Sequence, residues 1–284
     1  MSGERWFEET LHDDVRLSFR ADEVLYEDRS EHQHLALIRN ATFGEVLLLD
    51  KVTQVTLRDE FIYHEMLAHV PLLAHGAARE VLIVGGGDLG LAEEVLKHRG
   101  VARVTLVELD RAVVDFARDH FAAMNAAAFA DARLDVVIAD GCRFAAETER
   151  RFDVVLIDST DPIGPGAVLF TEAFYRDLAR ILNPGGVVAT QNGVPFLQPR
   201  EFQMGLGNLK RVFEDATCYV IAVPTYFGGH MALGFAGAPT PRPDPATLER
   251  RFAAAAIATR YYTPEVHGAA FALPRFIRDL CDEA

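Results

Sequence analysis

Apolar positions come in short runs over the first fifth of the chain and in helix-spaced runs after it. Leu35 to Ile38, Val46 to Leu49 and Val52 to Leu57 are apolar stretches separated by Asn40 to Gly44 and by Asp50-Lys51. Turn residues between apolar runs predict a small antiparallel β-region. From Asp59 to His69 the spacing changes to the helical period, and Pro71 predicts the end of that helix. Beyond it, strand-like runs at Val81 to Val84, Arg103 to Val107, Asp135 to Ile138, Val154 to Ile157 and Val187 to Thr190 alternate with helix-length segments. That alternation predicts a parallel sheet wound with helices. The Pro-rich stretch from Gly237 to Pro245 predicts an exposed loop ahead of a helix over Ala246 to Ala258, and no internal repeat is visible. The chain therefore divides into a β-strand part, 1–58, and an α/β part, 59–284.

Composition narrows the function more than the fold. The 284 residues are 50% hydrophobic, enough for one large α/β core with a small accessory domain. No apolar run reaches the roughly 18 residues that span a bilayer, and Met1 to Thr10 is charged where a signal peptide is greasy. A cytoplasmic, soluble protein is expected. Three cysteines, Cys142, Cys218 and Cys281, are odd in number and far apart in sequence, so reduced thiols are expected rather than a disulfide framework or a cysteine zinc site. A formal charge of −14 argues against nucleic acid, whose phosphates reward Lys and Arg, and suits a cationic small molecule.

The candidate chemistry gathers at predicted strand ends, where open α/β folds bind ligands. Asp158 and Asp161 follow the strand Val154 to Ile157 and stand three residues apart in the segment Asp158-Ser159-Thr160-Asp161-Pro162-Ile163-Gly164-Pro165. Two acids there favour a cation. Gly85-Gly86-Gly87-Asp88-Leu89-Gly90 fits G-x-G-x-x-G after the first core strand, Glu108 ends the second, and Asp140-Gly141 ends the third. A dinucleotide would meet Asp88 at close range to its phosphates, at a Coulomb cost of several kcal/mol. An S-adenosylmethionine-type ligand carries no phosphate. At the amino-acid tail of such a ligand Asp88 repels an α-carboxylate and attracts a bare ammonium, as in the decarboxylated form; the plainer reading is that Asp88 caps the helix it begins. His64-Glu65 followed by His69 does not give a zinc site, because the two histidines are five apart, not four. His12, His75 and His98 read as surface residues, and Phe121, Phe129 and Ala126 to Ala128 as helix and core.

The whole chain resembles the spermidine synthases, the polyamine aminopropyltransferases. The resemblance rests on Arg58-Asp59-Glu60-Phe61-Ile62-Tyr63-His64-Glu65-Met66, Gly85 to Asp88, Asp158 to Pro165, Pro224-Thr225-Tyr226 and Ala269-Ala270-Phe271-Ala272-Leu273-Pro274, in family order along nearly the full length. It implies an N-terminal β-domain, a methyltransferase-like Rossmann domain, and a homodimer or homotetramer. It also implies decarboxylated S-adenosylmethionine as co-substrate, no prosthetic group, no metal and a small diamine as partner. By resemblance, Gln33, Glu108, Asp140, Gly141 and Pro165 hold the nucleoside; Tyr63, His64, Asp88, Asp161, Gln191 and Tyr226 hold the amines; Asp158 accepts the proton. The segment Pro162 to Pro165 reads as a closing loop.

Two positions depart from the family pattern, which usually has glycine at Leu89 and an acid at Leu57. Leu89 is expected to narrow the mouth of the nucleoside site or to carry left-handed strain of roughly a kcal/mol. The expected activity is aminopropyl transfer to putrescine, giving spermidine and methylthioadenosine. Three alternatives stay open: another acceptor (cadaverine, agmatine or diaminopropane), an amine methyltransferase using intact S-adenosylmethionine, and a non-catalytic polyamine or nucleoside sensor.

Overall fold

The computed structural model describes residues 5–12, 14–161, 164–237 and 243–284, with backbone alone at 164 and 165. Pro162 and Ile163 of the expected closing loop, and most of the Pro-rich stretch before Pro245, lie outside the described residues.

Strands β1 (Arg5–Glu9) and β2 (Leu17–Ala21) form an antiparallel hairpin. Strands β3 (Glu23–Arg29), β4 (His34–Asn40), β5 (Gly44–Leu49) and β6 (Val52–Thr56) make a four-stranded antiparallel sheet in sequence order. Leu35, Leu37, Leu47 and Leu49 turn one face of that sheet toward the later helices; Ile38, Val46 and Leu48 turn the other toward Phe19 of the hairpin. This is the period-two alternation of a sheet buried on both faces. The sequence reading found β4 to β6 and missed β1 to β3, whose exposed, charge-rich pattern carries little apolar periodicity.

Helix α1 (Glu60–His75) leads into the second part. It does not stop before Pro71 as the sequence predicts. Every residue from Ile62 to Leu73 is buried, and burial of that many side chains outweighs the roughly 3 kcal/mol cost of an interior proline. The helix ends at Gly76, in the left-handed conformation, whose N–H reaches the carbonyl of Leu72 at 2.8 Å.

Then follow β7 (Glu80–Gly85), α2 (Gly90–Leu96), β8 (Arg103–Glu108), α3 (Arg111–His120), α4 (Ala122–Ala130), β9 (Leu134–Ile138), α5 (Gly141–Glu147) and β10 (Phe152–Asp158). A 3₁₀ turn (Gly164–Phe170), α6 (Glu172–Ile181), β11 (Leu182–Gln191), α7 (Pro199–Val212), β12 (Thr217–Ile221) and β13 (Met231–Ala236) come next. Helices α8 (Pro245–Ala255), α9 (Pro264–Ala270) and α10 (Arg275–Asp282) close the chain. The sheet order is β12-β13-β11-β10-β7-β8-β9, so the strands either side of β7 carry the crossovers. The five predicted strands are parallel, but β13 runs antiparallel to β11, and β12 to β13. The sheet is mixed, contrary to the all-parallel expectation, because the chain returns through the hairpin β12–β13 rather than a crossover helix. Val81, Ile83, Val154 and Leu156 point to α1 and α2; Leu82, Val84, Val155 and Ile157 point to α5 and α6. Among the described residues no helix is long and apolar enough to cross a membrane.

The expectation of free thiols holds: Cys218 on β12 and Cys281 on α10, far apart in sequence, bring their sulfurs to 3.7 Å without a disulfide. Two smaller expectations change. His98 is buried, not a surface residue, with its ring 3.0 Å from His69 Nδ1. His12 lines the central cavity described below.

Leu89 adopts φ 66° and is fully buried, so it carries the left-handed strain but packs into the core and does not line that cavity. Leu89→Gly removes about 1 kcal/mol of strain and about 2–5 kcal/mol of packing. A net loss of about 1–4 kcal/mol is expected in urea unfolding; a more stable variant would mean that strain dominates.

Candidate functional site

The site lies at the carboxyl ends of β7, β8, β9, β10 and β11, with the N-terminal sheet closing it from above. The glycine turn after β7 crosses the end of β10 at backbone distance. Gly85 has φ 84°, and a Cβ there would fall 2.1 Å from the Asp158 carbonyl, which accepts from the Gly86 N–H at 2.9 Å. The loop thus serves Asp158 before any ligand: only glycine lets the two strand ends pack this closely.

Asp88 faces both the helix it begins and the cavity. Its Oδ1 accepts from the Gly90 N–H at 2.9 Å, capping α2, and its carboxylate also lines the cavity. Asn125 holds the Asp88 carbonyl through Nδ2 at 2.8 Å. Glu108 stands at the end of β8 and accepts from the Asp110 N–H at 2.9 Å. Burial, and to a smaller degree the charge of Asp110, outweigh its backbone hydrogen bonds and push its pKa up to about 7. Asp140 caps α5 through the Arg143 N–H at 3.0 Å, which puts Gly141 at the same rim.

Asp158 ends β10 and accepts from the Tyr63 hydroxyl at 2.8 Å. Burial first, then the charge of Asp88, raise its pKa to about 6 against the opposing pull of His64 and Tyr63. Asp161 accepts from Gln191 Nε2 at 3.2 Å and Gln198 Nε2 at 3.0 Å; burial raises its pKa and the two amides hold it back. The Tyr226 hydroxyl donates to the Gln54 carbonyl, and its ring meets Tyr63 edge to face at 6.0 Å. Asp59 sets this geometry from below: it accepts from Thr56 Oγ1, Thr225 N and Thr225 Oγ1, tying the start of α1 to the loop that carries Tyr226.

Of the residues singled out in sequence, Gln33, Tyr63, His64, Asp88, Glu108, Asp140, Gly141, Asp158, Asp161, Gln191 and Tyr226 all line one cavity of about 250 Å³. Pro165 belongs to the 3₁₀ turn at its edge, with its side chain outside the described residues. Sequence reasoning missed Glu9, Gln54, Asp110 and Gln198. Asp110 caps α3 and fixes Gln33 Nε2 at 3.1 Å and Ser30 Oγ at 2.6 Å, so it couples the two parts of the chain at the cavity. An acid directly before the amphipathic run of α3 was its signal. Glu9 had none, because nothing in an exposed-looking hairpin says which side chain turns inward.

The cavity wall is strongly one-signed. Eight carboxylates line it (Glu9, Asp50, Asp88, Glu108, Asp110, Asp140, Asp158 and Asp161), and among the described residues no lysine or arginine does. Thr53 Oγ1 and Gln191 Oε1 are buried there without a hydrogen-bond partner. Among the described residues the one cluster with metal-like spacing is His64, Asp88 and Asp158, whose ligand atoms lie within 4.8 Å of one another. Burial would depress the His64 pKa, but Asp88, Glu60 and Asp158 together raise it to about 10. An imidazolium is a donor, not a ligand, so in this state the cluster is an acid pair neutralised from within.

Known proteins match this architecture over its whole length. A model of the spermine/spermidine synthase domain covers residues 60–240, and one of the spermidine synthase tetramerisation domain covers residues 5–56. A polyamine aminopropyltransferase of Ruegeria sp. is 54% identical over 99% of both chains, and polyamine aminopropyltransferase 1 of Pseudomonas aeruginosa is 50% identical over 95% of this chain and 96% of its own. A crystal structure of a spermidine synthase in complex with the transition-state analogue AdoDATO superposes with a TM-score of 0.93 at 36% identity, over 99% of this chain and 96% of that one. The spermidine synthase of Thermotoga maritima gives 0.90 at 33% identity, over 98% and 94%. With a Rossmann-like sheet, an N-terminal antiparallel β-region and matches of this extent, the chain belongs to the spermine/spermidine synthase family of aminopropyl-transferring enzymes.

Proposed function

We propose that this enzyme transfers the aminopropyl group of decarboxylated S-adenosylmethionine to putrescine, giving spermidine and methylthioadenosine. The observation that carries the reading is the eight-carboxylate wall without a lysine or arginine among the described residues. Intact S-adenosylmethionine brings an α-carboxylate that would meet Asp88, and the one cation beside it, the His64 imidazolium, is already shared among Glu60, Asp88 and Asp158. The decarboxylated donor and a diamine bring only positive charge and N–H donors, which suit the acids and the buried acceptors Thr53 Oγ1 and Gln191 Oε1. The same charge argument weighs against the amine methyltransferase.

Roles follow from position. Gln33, Glu108, Asp140, Gly141 and Pro165 hold the nucleoside, with Glu108 accepting from the ribose hydroxyls. Asp88 and His64 hold the ammonium end of the donor. Asp161, Gln191, Tyr63 and Tyr226 hold the acceptor. An ammonium of pKa near roughly 10 has no lone pair, and freeing it at pH 7 costs about 4 kcal/mol. Asp158 takes that proton. Its pKa near 6, above the usual carboxylate value, makes the transfer about 3 kcal/mol less uphill. The lone pair of the freed nitrogen forms the new N–C bond as the C–S bond breaks, and the C–S bonding pair stays on sulfur and neutralises the sulfonium. Because charge is lost at sulfur, fixing the nitrogen in line and excluding water supply most of the acceleration.

Residues 1–58 act as the assembly domain and 59–284 as the catalytic one, in a homodimer or homotetramer acting in the cytoplasm. Support comes from the tetramerisation-domain match over 5–56.

The test is turnover with decarboxylated S-adenosylmethionine against putrescine, cadaverine, agmatine and diaminopropane, read by mass spectrometry. Methylthioadenosine release fastest with putrescine is expected. Release fastest with another amine would move the acceptor assignment, and binding without release would favour a sensor.

A further inference from the structure

One imidazole ring and the glutamate beside it stand between two cavities. His64 lines the cavity described above; its Nε2 lies 3.9 Å from Asp88 Oδ1, with an Asp158 oxygen in the same 4.8 Å cluster. Its Nδ1 lies 2.9 Å from Glu60 Oε2, one helical turn back on α1. Glu60 does not line that cavity. It lines a second one, of about 280 Å³, together with Glu65, Glu93, Lys97 and Gly90. The wall between them is thin at Gly90, where a Cβ would fall 2.3 Å from His64 Cε1. A ring with a carboxylate against each nitrogen and a cavity beyond each carboxylate has the form of a proton relay.

The reaction needs one. Donor and acceptor enter as dications, and a trication and a neutral thioether leave, so each turnover sheds one proton. It is left on Asp158, inside a site that works best when water is excluded. We propose that this proton leaves through His64 and Glu60 into the second cavity. With substrates bound the ring is neutral and keeps its one proton on Nδ1, facing Glu60. The Asp158 proton reaches the bare Nε2 across an amine nitrogen or a water in the cluster. The imidazolium so formed gives its Nδ1 proton to Glu60, which yields it to solvent in the second cavity. Each step breaks one N–H or O–H bond and forms another, with no change of oxidation state.

The ring is faced by Glu60 on its own helix, by Asp88 from the loop between β7 and α2, by Asp158 from β10, and by the neighbouring Tyr63 ring at 5.5 Å. Before substrates bind, these acids hold the imidazole protonated, against the effect of burial. The ammonium groups of donor and acceptor then take over that charge beside Asp88 and Asp158, which frees the ring to pass a proton.

This inference rests on the aminopropyl-transfer reading, and the wild-type enzyme tested alongside separates the two: a wild type that releases no methylthioadenosine defeats that reading itself. With an active wild type, Glu60→Gln keeps an acceptor for the His64 N–H but cannot take the proton. Turnover is expected to fall about tenfold or more, with KM for both substrates unchanged, a larger solvent deuterium isotope effect, and recovery when formate is added. Unchanged turnover, or a loss that formate does not restore and that comes with a raised KM, overturns the relay. A second measurement needs no variant. A wild-type proton inventory in H₂O/D₂O mixtures is expected to bow downward, from more than one proton in flight, and a straight line overturns the proposal.

Discussion

Asp158→Asn is expected to lower turnover by about 10²–10⁴-fold, the range that a positioned general base supplies. Asparagine keeps the shape and still accepts from the Tyr63 hydroxyl that reaches Asp158 at 2.8 Å, but it cannot take the amine proton. Nucleoside affinity should stay within about twofold, because Glu108 and Asp140 are untouched. The pH profile separates this from a packing effect. Below pH about 6 Asp158 is protonated and useless as a base, so wild-type kcat/KM for the acceptor should rise through that value. In the variant that limb vanishes and only the slow rise from the amine's own ionisation, toward pH roughly 10, remains. A variant turning over at the wild-type rate would remove Asp158 from the role of base.

Glu108→Gln is expected to act in opposite directions on binding and on stability. A carboxylate accepting from two ribose hydroxyls makes charge-assisted bonds of about 1.5–3 kcal/mol each. Losing the charge should weaken nucleoside binding by about 10- to 100-fold, read by calorimetry with methylthioadenosine. The free protein should gain. Glu108 titrates near 7 in the fold against a usual 4.5, with burial as the main cause. At pH below about 4.5 it is neutral folded and unfolded, and its burial as an ion costs nothing. Between 4.5 and 7 the unfolded chain releases the proton first, and above 7 the fold bears the full penalty, on the order of 1–3 kcal/mol. Thermal unfolding without ligand should therefore place the variant above wild type at pH 8 and level with it near pH 4. An equal gain at both values would mean that the site stores no ionisation strain.

The two effects share a cause. A cavity built to receive cations keeps its acids close together and partly dry before the cations arrive, and each acid relieves itself as far as the local geometry allows. Asp158 and Glu108 hold protons more tightly than usual, Asp161 leans on two glutamine amides, and Asp88 spends one oxygen capping α2. On the proposed reading, bound ammonium groups would give Asp88, Asp158 and Asp161 charged partners, and ribose hydroxyls would give Glu108 donors. Stability is held back at the site for the sake of function, as stored strain of this kind generally is.

What the sequence determined by itself is what depends on local pattern. Apolar runs of strand length, their alternation with helices, and acids directly after strand ends placed β4 to β11 together with Asp88, Glu108, Asp140, Asp158 and Asp161, because a parallel sheet puts all its strand ends on one rim; Gln33, Tyr63, His64, Pro165, Gln191 and Tyr226 were legible only through the family resemblance. Tertiary structure decided whatever depends on which surfaces meet. Pro71 stays helical because α1 is buried from Ile62 to Leu73, a fact about neighbours that a breaker rule cannot contain. Strand β13 runs against the other strands because a hairpin, not a helix, links it to β12, and an all-buried strand such as β13 shows no alternation to read. Glu9, Gln54 and Gln198 enter the cavity from segments far from the motifs. The protonation of His64 is likewise tertiary, since its charge comes from Asp88 and Asp158 across the fold as well as from Glu60 beside it. Residue type and spacing name the acids; only their convergence in a shared, poorly hydrated space sets how strongly each one holds its proton.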